Sequence, residues 1–200
     1  MKLALLGATG NVGRRLVTEL RARGHDVTGI ARTAPPEDPG IPLRLADAND
    51  ADALAGAIRG HDALMVSARF VSTDANVILG AMRTAGISRV LAVGGAGTLF
   101  VAPGVRLLDS PALPEAFRPE VNAGAAFLDA LRASDADWTF LSPAANFGPG
   151  ERTGTYRLGA DDLMRDANGE SRISYEDLAK ALVDELETPQ HTRRRFSIAY

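Results

Sequence analysis

A glycine-rich turn near the amino terminus constrains this chain more than any other feature. The continuous apolar run Leu3–Leu6 predicts a buried strand that stops at Gly7. A helix is predicted from Asn11, because apolar residues then recur at helical spacing. The turn between the two elements contains three glycines with the spacing G-x-x-G-x-x-G, at positions 7, 10 and 13.

This strand, turn and helix are suited to the pyrophosphate of a dinucleotide. The first turn of a helix presents unpaired N–H groups and the positive end of the helix dipole to an anion. Glycines allow the tight turn, leave room for the phosphates and let the helix pack closely on the strand. Glycine triplets also occur in ordinary turns, but here the required context is present. We therefore predict cofactor contacts at Gly7, Thr9, Gly10, Asn11, Val12 and Gly13.

Short apolar runs alternate with helical segments along the rest of the chain. Further strands are predicted at Val27–Ala31, Pro42–Leu45, Asp62–Ser67, Arg89–Val93, Trp138–Leu141 and Arg195–Ala199. Helices are predicted at Asn11–Arg23, between Asp50 and Gly60, at Asp74–Ala85, at Glu120–Ala133 and at Tyr175–Glu187. The last helix has a capping pair, Ser174 and Asp177. This alternation predicts an α/β protein with a doubly wound parallel sheet and helices on both faces.

Three segments depart from the alternation. Residues 34–40 are proline-rich and predict a loop. Residues 98–119 contain four prolines and predict a long loop or lid rather than a regular element. Residues 144–172 are irregular, with a short strand expected near Thr155–Leu158. The chain is nevertheless predicted to form one domain over residues 1–200, because a second full domain would not fit in this length.

Composition excludes several classes of function. The chain has no cysteine, which rules out disulfides and thiolate chemistry, and its net charge of −3 offers no basic field for nucleic acid. No apolar run approaches the roughly 20 residues that span a bilayer. We expect a cytoplasmic protein, a monomer or homodimer, whose partner is a small molecule rather than nucleic acid or a membrane.

The residue that follows the second strand indicates which cofactor is used. In doubly wound sheets this position meets the adenosine ribose, where a carboxylate selects NAD and an arginine attracts the 2'-phosphate of NADP. Here the sequence is Ala31-Arg32-Thr33, with no carboxylate before Glu37. This favours NADP(H) over NAD(H). Alternatively, Arg32 is a solvated charge or stacks on the adenine without discriminating.

The motifs Gly7–Gly13, Val93–Gly97, Ser142-Pro143 and Ile173–Ala179 resemble those of the atypical short-chain dehydrogenase/reductases. The resemblance is to the NAD(P)H-binding, NmrA-like branch, which includes flavin reductase-like and biliverdin reductase B-like members. It implies a single Rossmann-like domain with a short C-terminal substrate region. It also implies cofactor contacts at Asp47, Ala48, Ser67, Ala68, Arg69, Val93, Gly94, Ser142 and Pro143. Asp47 could instead only begin a helix.

The catalytic groups of the resembling families are absent. Typical members use Tyr-x-x-x-Lys on the helix after the fifth strand, but Glu120–Arg132 contains neither residue, and Tyr175 and Lys180 are five apart on a later helix. Biliverdin reductase B-like members carry a serine after strand five and a histidine after the proline that follows strand six. Here glycine and alanine stand at those places. The histidines, His25, His61 and His191, are predicted to lie on the surface without forming a metal site.

Few polar groups remain for the carboxyl edge of the sheet, namely Arg69, Thr98, Ser142, Asn146 and Tyr156. Hydride transfer to a flavin or quinone needs little help from a protein acid, because the acceptor's electronics carry the chemistry. An apolar slot could be built by residues 103–119 and by Phe70, Leu99, Phe100 and Phe147, although these residues could equally be core. Tyr156 is the candidate general acid if the substrate is a carbonyl compound.

Three functions are compatible with the sequence. The leading hypothesis is an NADPH-dependent oxidoreductase that transfers hydride to a small planar acceptor, a flavin or a quinone. The alternative is an NmrA-like redox sensor that binds NADP(H) without turnover, which the missing catalytic residues favour. A carbonyl reductase or epimerase is the third possibility, and the absent Tyr/Lys pair weighs against it.

Overall fold

The computed structural model describes residues 1–36 and 38–200, where the chain forms five α-helices and twelve strands. The helices are α1 (Asn11–Ala22), α2 (Ala51–Ile58), α3 (Ala75–Ala85), α4 (Arg118–Ala133) and α5 (Tyr175–Glu187). The strands are β1 (Lys2–Leu6), β2 (Asp26–Ala31), β3 (Leu43–Leu45), β4 (Ala63–Val66), β5 (Arg89–Val93), β6 (Phe100–Ala102), β7 (Val105–Arg106), β8 (Asp137–Pro143), β9 (Asn146–Gly148), β10 (Arg157–Gly159), β11 (Arg172–Ser174) and β12 (Arg194–Ala199).

Eight strands form the central sheet, in the order β10-β12-β8-β5-β4-β1-β2-β3. All neighbours in it are parallel except β10, which pairs antiparallel with β12. The predicted fold class, a doubly wound Rossmann-like sheet, is confirmed. Parallel strands place their carboxyl ends at one edge, and a ligand crevice opens there where the strand order reverses, between β1 and β4.

Helices cover both faces of the sheet. One apolar core contains Leu3 and Leu5 of β1 together with residues of α1 and α5. The other contains Ala4 and Leu6 with residues of α2, α3 and α4. Because both faces are buried, the strand residues are apolar in succession rather than alternating with polar ones.

Two predictions about irregular segments were wrong in part. Within residues 98–119, β6 and β7 form a small hairpin that is attached to the body of the protein: the Phe100 N–H donates to the Asp161 carbonyl (2.8 Å) and the Leu163 N–H to the Phe100 carbonyl (2.9 Å). Within residues 144–172, β9 pairs with β11, while the short strand expected near Thr155–Leu158 is β10, shifted by two residues. The pairing of β9 with β11 and the attachment of Phe100 join segments that are far apart in the sequence. No periodic pattern within either segment therefore indicates them.

The start of α5 is built around a buried carboxylate. The hydroxyl of Ser174 accepts from the Asp177 N–H (3.0 Å), as the sequence predicts. The Asp177 side chain accepts from the Thr153 hydroxyl (2.6 Å), the Gly154 N–H (2.8 Å) and the Tyr200 hydroxyl (2.9 Å). Burial alone would raise the pKa of Asp177, but these hydrogen bonds outweigh it and hold the pKa below its usual value.

We expect the Asp177→Asn variant to be destabilised in a pH-dependent way. A lowered folded-state pKa stabilises the protein above the unfolded-state pKa, and this contribution disappears as the pH falls through the folded-state value. The variant should lose about 2 kcal/mol of unfolding free energy at pH 7. Urea unfolding at neutral and acidic pH measures this difference, which should shrink below the usual aspartate pKa. Asp129→Asn, an exposed change, is the control, and an equal loss at every pH would contradict the assignment.

Candidate functional site

Backbone atoms of three elements meet at the glycine-rich turn. Gly7 has a φ of 84°, which favours glycine. A Cβ atom on Gly7 would overlap the Ser67 carbonyl oxygen at the end of β4, and one on Gly13 would overlap the Gly7 carbonyl oxygen. The first turn of α1 therefore lies directly against the turn that follows β1, and that turn lies against the residue after β4, with no side chain between them.

The start of α1 is left open to an anion. Its N-cap is Gly10, no side chain in the described structure caps it, and its first turn contains no acidic residue. In contrast, Asp50, Asp74 and Ser174 cap α2, α3 and α5. The first N–H groups of a helix have no partner inside the helix. Those of α1 thus fit the pyrophosphate of a dinucleotide, as the sequence indicated.

The groups predicted at the adenosine end follow β2 and β3 at the same edge. Arg32 is exposed directly after β2, and Glu37 lies outside the described residues. The Asp47 carboxylate accepts from the Asn49 N–H (2.9 Å), so it shapes the turn that leads into α2. Ala48 is buried. Of these described positions, Arg32 is the exposed cation next to the end of β2.

Ser67, Ala68 and Arg69 follow β4 beside the glycine-rich turn. The Ser67 N–H donates to the Leu6 carbonyl (2.8 Å), which fixes this segment across the crevice from β1. The Arg69 side chain is 77% exposed, and its Nε lies 3.6 Å from Glu120 Oε2. The largely exposed Arg69 guanidinium thus lies between the crevice and a cavity farther along the same edge of the sheet.

A cavity of about 460 Å³ opens beyond the ends of β5 and β8. Its walls are mainly apolar and include the exposed aromatic rings of Phe117 and Phe147 at the mouth. The lining residues are Phe70, Gly94, Gly95, Ala96, Gly97, Thr98, Leu107, Ala112, Leu113, Pro114, Phe117, Glu120, Val121, Gly124, Ala125, Phe140, Ala144, Ala145, Asn146 and Phe147. Glu120 is the one ionisable residue among these described lining residues.

Glycines shape the inner wall by letting aromatic rings approach the backbone. A Cβ atom on Gly94 would overlap the ring of Phe140, and one on Gly124 would lie 2.9 Å from the ring of Phe70. The two rings stack at a centroid distance of 6.1 Å. The serine that biliverdin reductase B-like members carry after strand five therefore has no room at Gly94, whereas a Cβ atom on Gly95, the other glycine at that place, would meet no atom within 4 Å.

Sequence analysis identified part of this cavity. Phe70, Gly94, Thr98, Asn146 and Phe147 line it. Val93 is buried at the end of β5, next to Gly94. Five residues of the suggested 103–119 segment also line it, whereas Leu99 and Phe100 do not: Leu99 is buried, and Phe100 belongs to the β6-β7 hairpin.

Ser142 and Pro143 are not brought to the cavity. Strand β8 continues two residues beyond its predicted end, so that Ser142 pairs with Ser197 and Pro143 with Ile198 of β12. Ser142 is fully buried, and its hydroxyl has no hydrogen-bond partner in the described part of the chain. A bound dinucleotide would therefore not reach the Ser142 side chain in this arrangement.

Glu120 lines the cavity but was not among the residues predicted from the sequence. Its carboxylate accepts from the N–H groups of Phe70 (2.7 Å) and Val71 (3.3 Å). It lies in the first turn of α4, the helix that carries the Tyr-x-x-x-Lys pair in typical short-chain dehydrogenase/reductases. The available signal was this position at the start of the helix after β5.

Tyr156 does not reach the cavity. Its hydroxyl donates to Asp184 Oδ2 (2.9 Å) and accepts from Lys180 Nζ (3.3 Å), both on α5. Burial raises the pKa of Tyr156, and the hydrogen bond to Asp184 raises it further. Lys180 is in turn paired with Asp184 at 2.7 Å. The pair therefore lacks both the position and the lowered tyrosine pKa that general acid–base catalysis uses.

The three histidines lie at the opposite edge from the cavity, just before β2, β4 and β12. The prediction that they are surface residues needs correction, because each is partly buried. His25 contacts Glu187 (2.9 Å), and His191 contacts Glu185 (2.8 Å) and stacks on Phe196. Among the described residues, no cluster suited to a metal ion was found, and no helix is long and apolar enough to cross a membrane.

The fold and the open glycine-rich turn define a dinucleotide-binding protein. The chain matches the NAD(P)H-binding family over residues 7–189, and it belongs to that family. This confirms the predicted NAD(P)H-binding character.

Three relatives resemble this chain over nearly their whole length. The uncharacterised Bacillus subtilis protein YwnB is 38% identical, over 99% of this chain and 98% of YwnB. A solved candidate epimerase from Bacteroides thetaiotaomicron is 42% identical with a TM-score of 0.91, covering 100% of this chain and 96% of that one. A candidate NADH-flavin reductase from Streptococcus pneumoniae is 35% identical with a TM-score of 0.87, covering 100% and 99%. These names agree on no single reaction.

We expect Gly13→Ala to abolish most dinucleotide binding. The added methyl group must displace the Gly7 carbonyl, which shifts α1 away from β1 and disturbs the N–H groups of its first turn. Gly56→Ala is a matched control, because Gly56 is also inside a helix but a Cβ there meets no atom within 4 Å. That control should be more stable by about 0.5–1 kcal/mol and bind normally. Calorimetric titration with NADPH and NADH, with thermal melting for stability, measures both effects; unchanged binding in Gly13→Ala would contradict the geometry.

Proposed function

We propose that this protein is an NADPH-dependent reductase that transfers hydride to a small planar acceptor, a flavin or a quinone. The observation that carries the proposal is the apolar cavity, which lies beside the dinucleotide crevice and has aromatic side chains at its mouth and inner wall. Such a cavity suits a flat, apolar ring system. The S. pneumoniae relative, a candidate NADH-flavin reductase, supports this reaction class.

The chain's own residues would hold the cofactor along the carboxyl edge. The first turn of α1 would bind the pyrophosphate through its N–H groups, with Arg69 as a cation near it. Residues after β5 would then direct the nicotinamide toward the cavity. When bound, the reduced nicotinamide supplies a hydride, and the acceptor takes that hydride with a proton from water to give dihydroflavin or hydroquinone. The apolar walls would exclude water from the reacting faces.

The cavity supplies no evident proton donor. Among its described lining residues the one carboxyl group, Glu120, already accepts two backbone N–H groups. An acceptor that needs no protein acid is therefore preferred over a carbonyl compound. An epimerase, as the B. thetaiotaomicron relative is described, would need an acid–base pair at the cavity, and the described residues offer none.

The lack of a proton donor among the described lining residues also favours a second candidate, a redox sensor that binds NADP(H) without turnover. A sensor needs the crevice but no catalytic group. It does not need a 460 Å³ cavity open beside the nicotinamide end, and for this reason we place the reductase first. Turnover separates the two functions.

The preference for NADPH rests on Arg32, which is exposed after β2. Arg32→Glu should weaken NADPH binding far more than NADH binding, because it replaces attraction to the 2'-phosphate by repulsion. Arg194→Glu makes the same charge change at the opposite edge of the sheet and should alter neither affinity. Calorimetric titration of both cofactors against both variants measures the ratio. Equal losses for the two cofactors would remove the 2'-phosphate assignment.

Turnover should depend on the acceptor and not on Tyr156. We expect purified protein to oxidise NADPH with a flavin or a quinone and not with simple carbonyl compounds. Tyr156→Phe should keep kcat/KM for that acceptor, whereas removing a true general acid would cost about 100-fold or more. NADPH binding is measured in parallel. Tight binding without turnover on any acceptor would favour the sensor, and a large loss in Tyr156→Phe would restore Tyr156 as an acid.

A further inference from the structure

The charge lining the cavity has one sign. Among the described lining residues, Glu120 is ionisable and the others are apolar, glycine, or neutral polar such as Thr98 and Asn146. Thr98 is itself engaged, because its hydroxyl accepts from Arg195 Nη1 (2.8 Å). Of the described residues, no lysine, arginine or histidine belongs to the lining. A ring system that enters the cavity therefore meets apolar walls and one carboxylate.

The Glu120 carboxylate is fixed in this position. It accepts from two successive N–H groups, those of Phe70 and Val71, where the chain leaves β4. Both partners are backbone groups, so no rotation of a neighbouring side chain releases the carboxylate. The ring of Phe70 lines the same cavity. The charge is thus anchored beside an aromatic wall.

The nearest cations do not cancel this charge inside the cavity. Arg69 contacts Glu120 at 3.6 Å but extends into solvent, and under the proposed function it lies near the cofactor pyrophosphate. Arg118, near the mouth, pairs with Glu115 at 2.7 Å and donates to the Leu108 carbonyl. Neither arginine lines the cavity.

Glu120 also neutralises a feature that would otherwise attract anions. It lies in the first turn of α4, whose N-terminus has no side-chain cap in the described structure. The positive end of the helix dipole faces this region, and an acidic residue in the first turn compensates it. Removing the charge of Glu120 would therefore end its repulsion of an anionic ligand. It would also leave the positive end of the α4 dipole uncompensated, and that end would attract the anion.

We propose that Glu120 is a specificity-determining residue that restricts the cavity to uncharged planar acceptors. Acceptors with an anionic group on the ring system are rejected by like charge. An unsubstituted quinone or a neutral isoalloxazine ring fits this description, whereas a ring sulfonate or carboxylate does not. This inference rests on the proposed function, because it assumes that the cavity holds the acceptor.

The test compares naphthoquinone with its ring-sulfonated derivative, which differ by one charge on the same ring. Both are titrated calorimetrically into protein saturated with NADP⁺, so that no turnover occurs. The chain has no cysteine, which removes addition of the quinone to thiols as a complication. Naphthoquinone should bind about tenfold more tightly than the sulfonate, a moderate ratio because the Glu120 side chain is 31% exposed and partly screened.

Three variants separate charge from structure. Glu120→Gln should reduce the ratio to about twofold or less, mainly by tightening the sulfonate. Glu120→Asp keeps the charge and should keep a preference for naphthoquinone. Asp129→Asn removes a charge from a residue of the same helix that is 69% exposed and does not line the cavity, and it should leave the ratio unchanged. Thermal melting checks that each variant is folded.

The outcomes distinguish this inference from the proposed function. Equal binding of the two compounds, binding of neither, or a ratio that Glu120→Gln does not change would overturn the role of Glu120. A charge-dependent ratio without NADPH oxidation in the turnover assay would keep Glu120 as a selector and would instead overturn the reductase.

Discussion

The rest of the structure depends on the backbone contact at the first turn of α1. Because no Cβ atom stands between Gly13 and Gly7, or between Gly7 and Ser67, the helix, β1 and the end of β4 meet through main-chain atoms alone. The contact leaves the N–H groups of α1 facing open space and fixes the direction in which the chain leaves β4. From Ser67 that chain reaches Phe70, whose N–H is held by Glu120 and whose ring lines the cavity. The anion site and the cavity thus share one segment.

The two halves of the site differ in how far the sequence could reveal them. The cofactor half is local: a strand, three glycines and a helix follow one another within residues 2–22, each with its own signal. For the same reason β5 and α5 begin and end at their predicted residues, since apolar runs, glycine stops and the Ser174 cap are all local. The cavity half is non-local. It requires β5, α4 and β9 to converge, and the pairing of β9 with β11, or of Phe100 with Asp161, has no periodic signature.

Tyr156 illustrates why proximity to a predicted edge is insufficient. It precedes β10, which runs antiparallel to its neighbour, and its hydroxyl turns to Asp184 on α5 rather than to the cavity. Sequence alone places a residue beyond the end of a strand but does not say on which face of the sheet it lies. Here that face is the one covered by α1 and α5, whereas the cavity is associated with Phe70, Phe140 and α4 on the other. Tyr156 and Lys180 therefore have a structural role, because the carboxylate of Asp184 binds both side chains.

The chemistry that the site allows follows from what α4 presents to it. In the typical short-chain dehydrogenase/reductases this helix presents a tyrosine and, four residues later, a lysine; here it presents Glu120 and Gly124 to the cavity. Because Gly124 has no side chain, the ring of Phe70 packs against the helix there. The cavity wall therefore has an aromatic surface where typical family members have the lysine cation. The Glu120 carboxylate binds the backbone of Phe70 to α4. It also places a negative charge where typical family members have the tyrosine proton donor. Under the proposed function, a hydride acceptor in this cavity would bind through its flat apolar surface and accept electrons without protein acid catalysis, which is the property shared by flavins and quinones and lacking in simple carbonyl compounds.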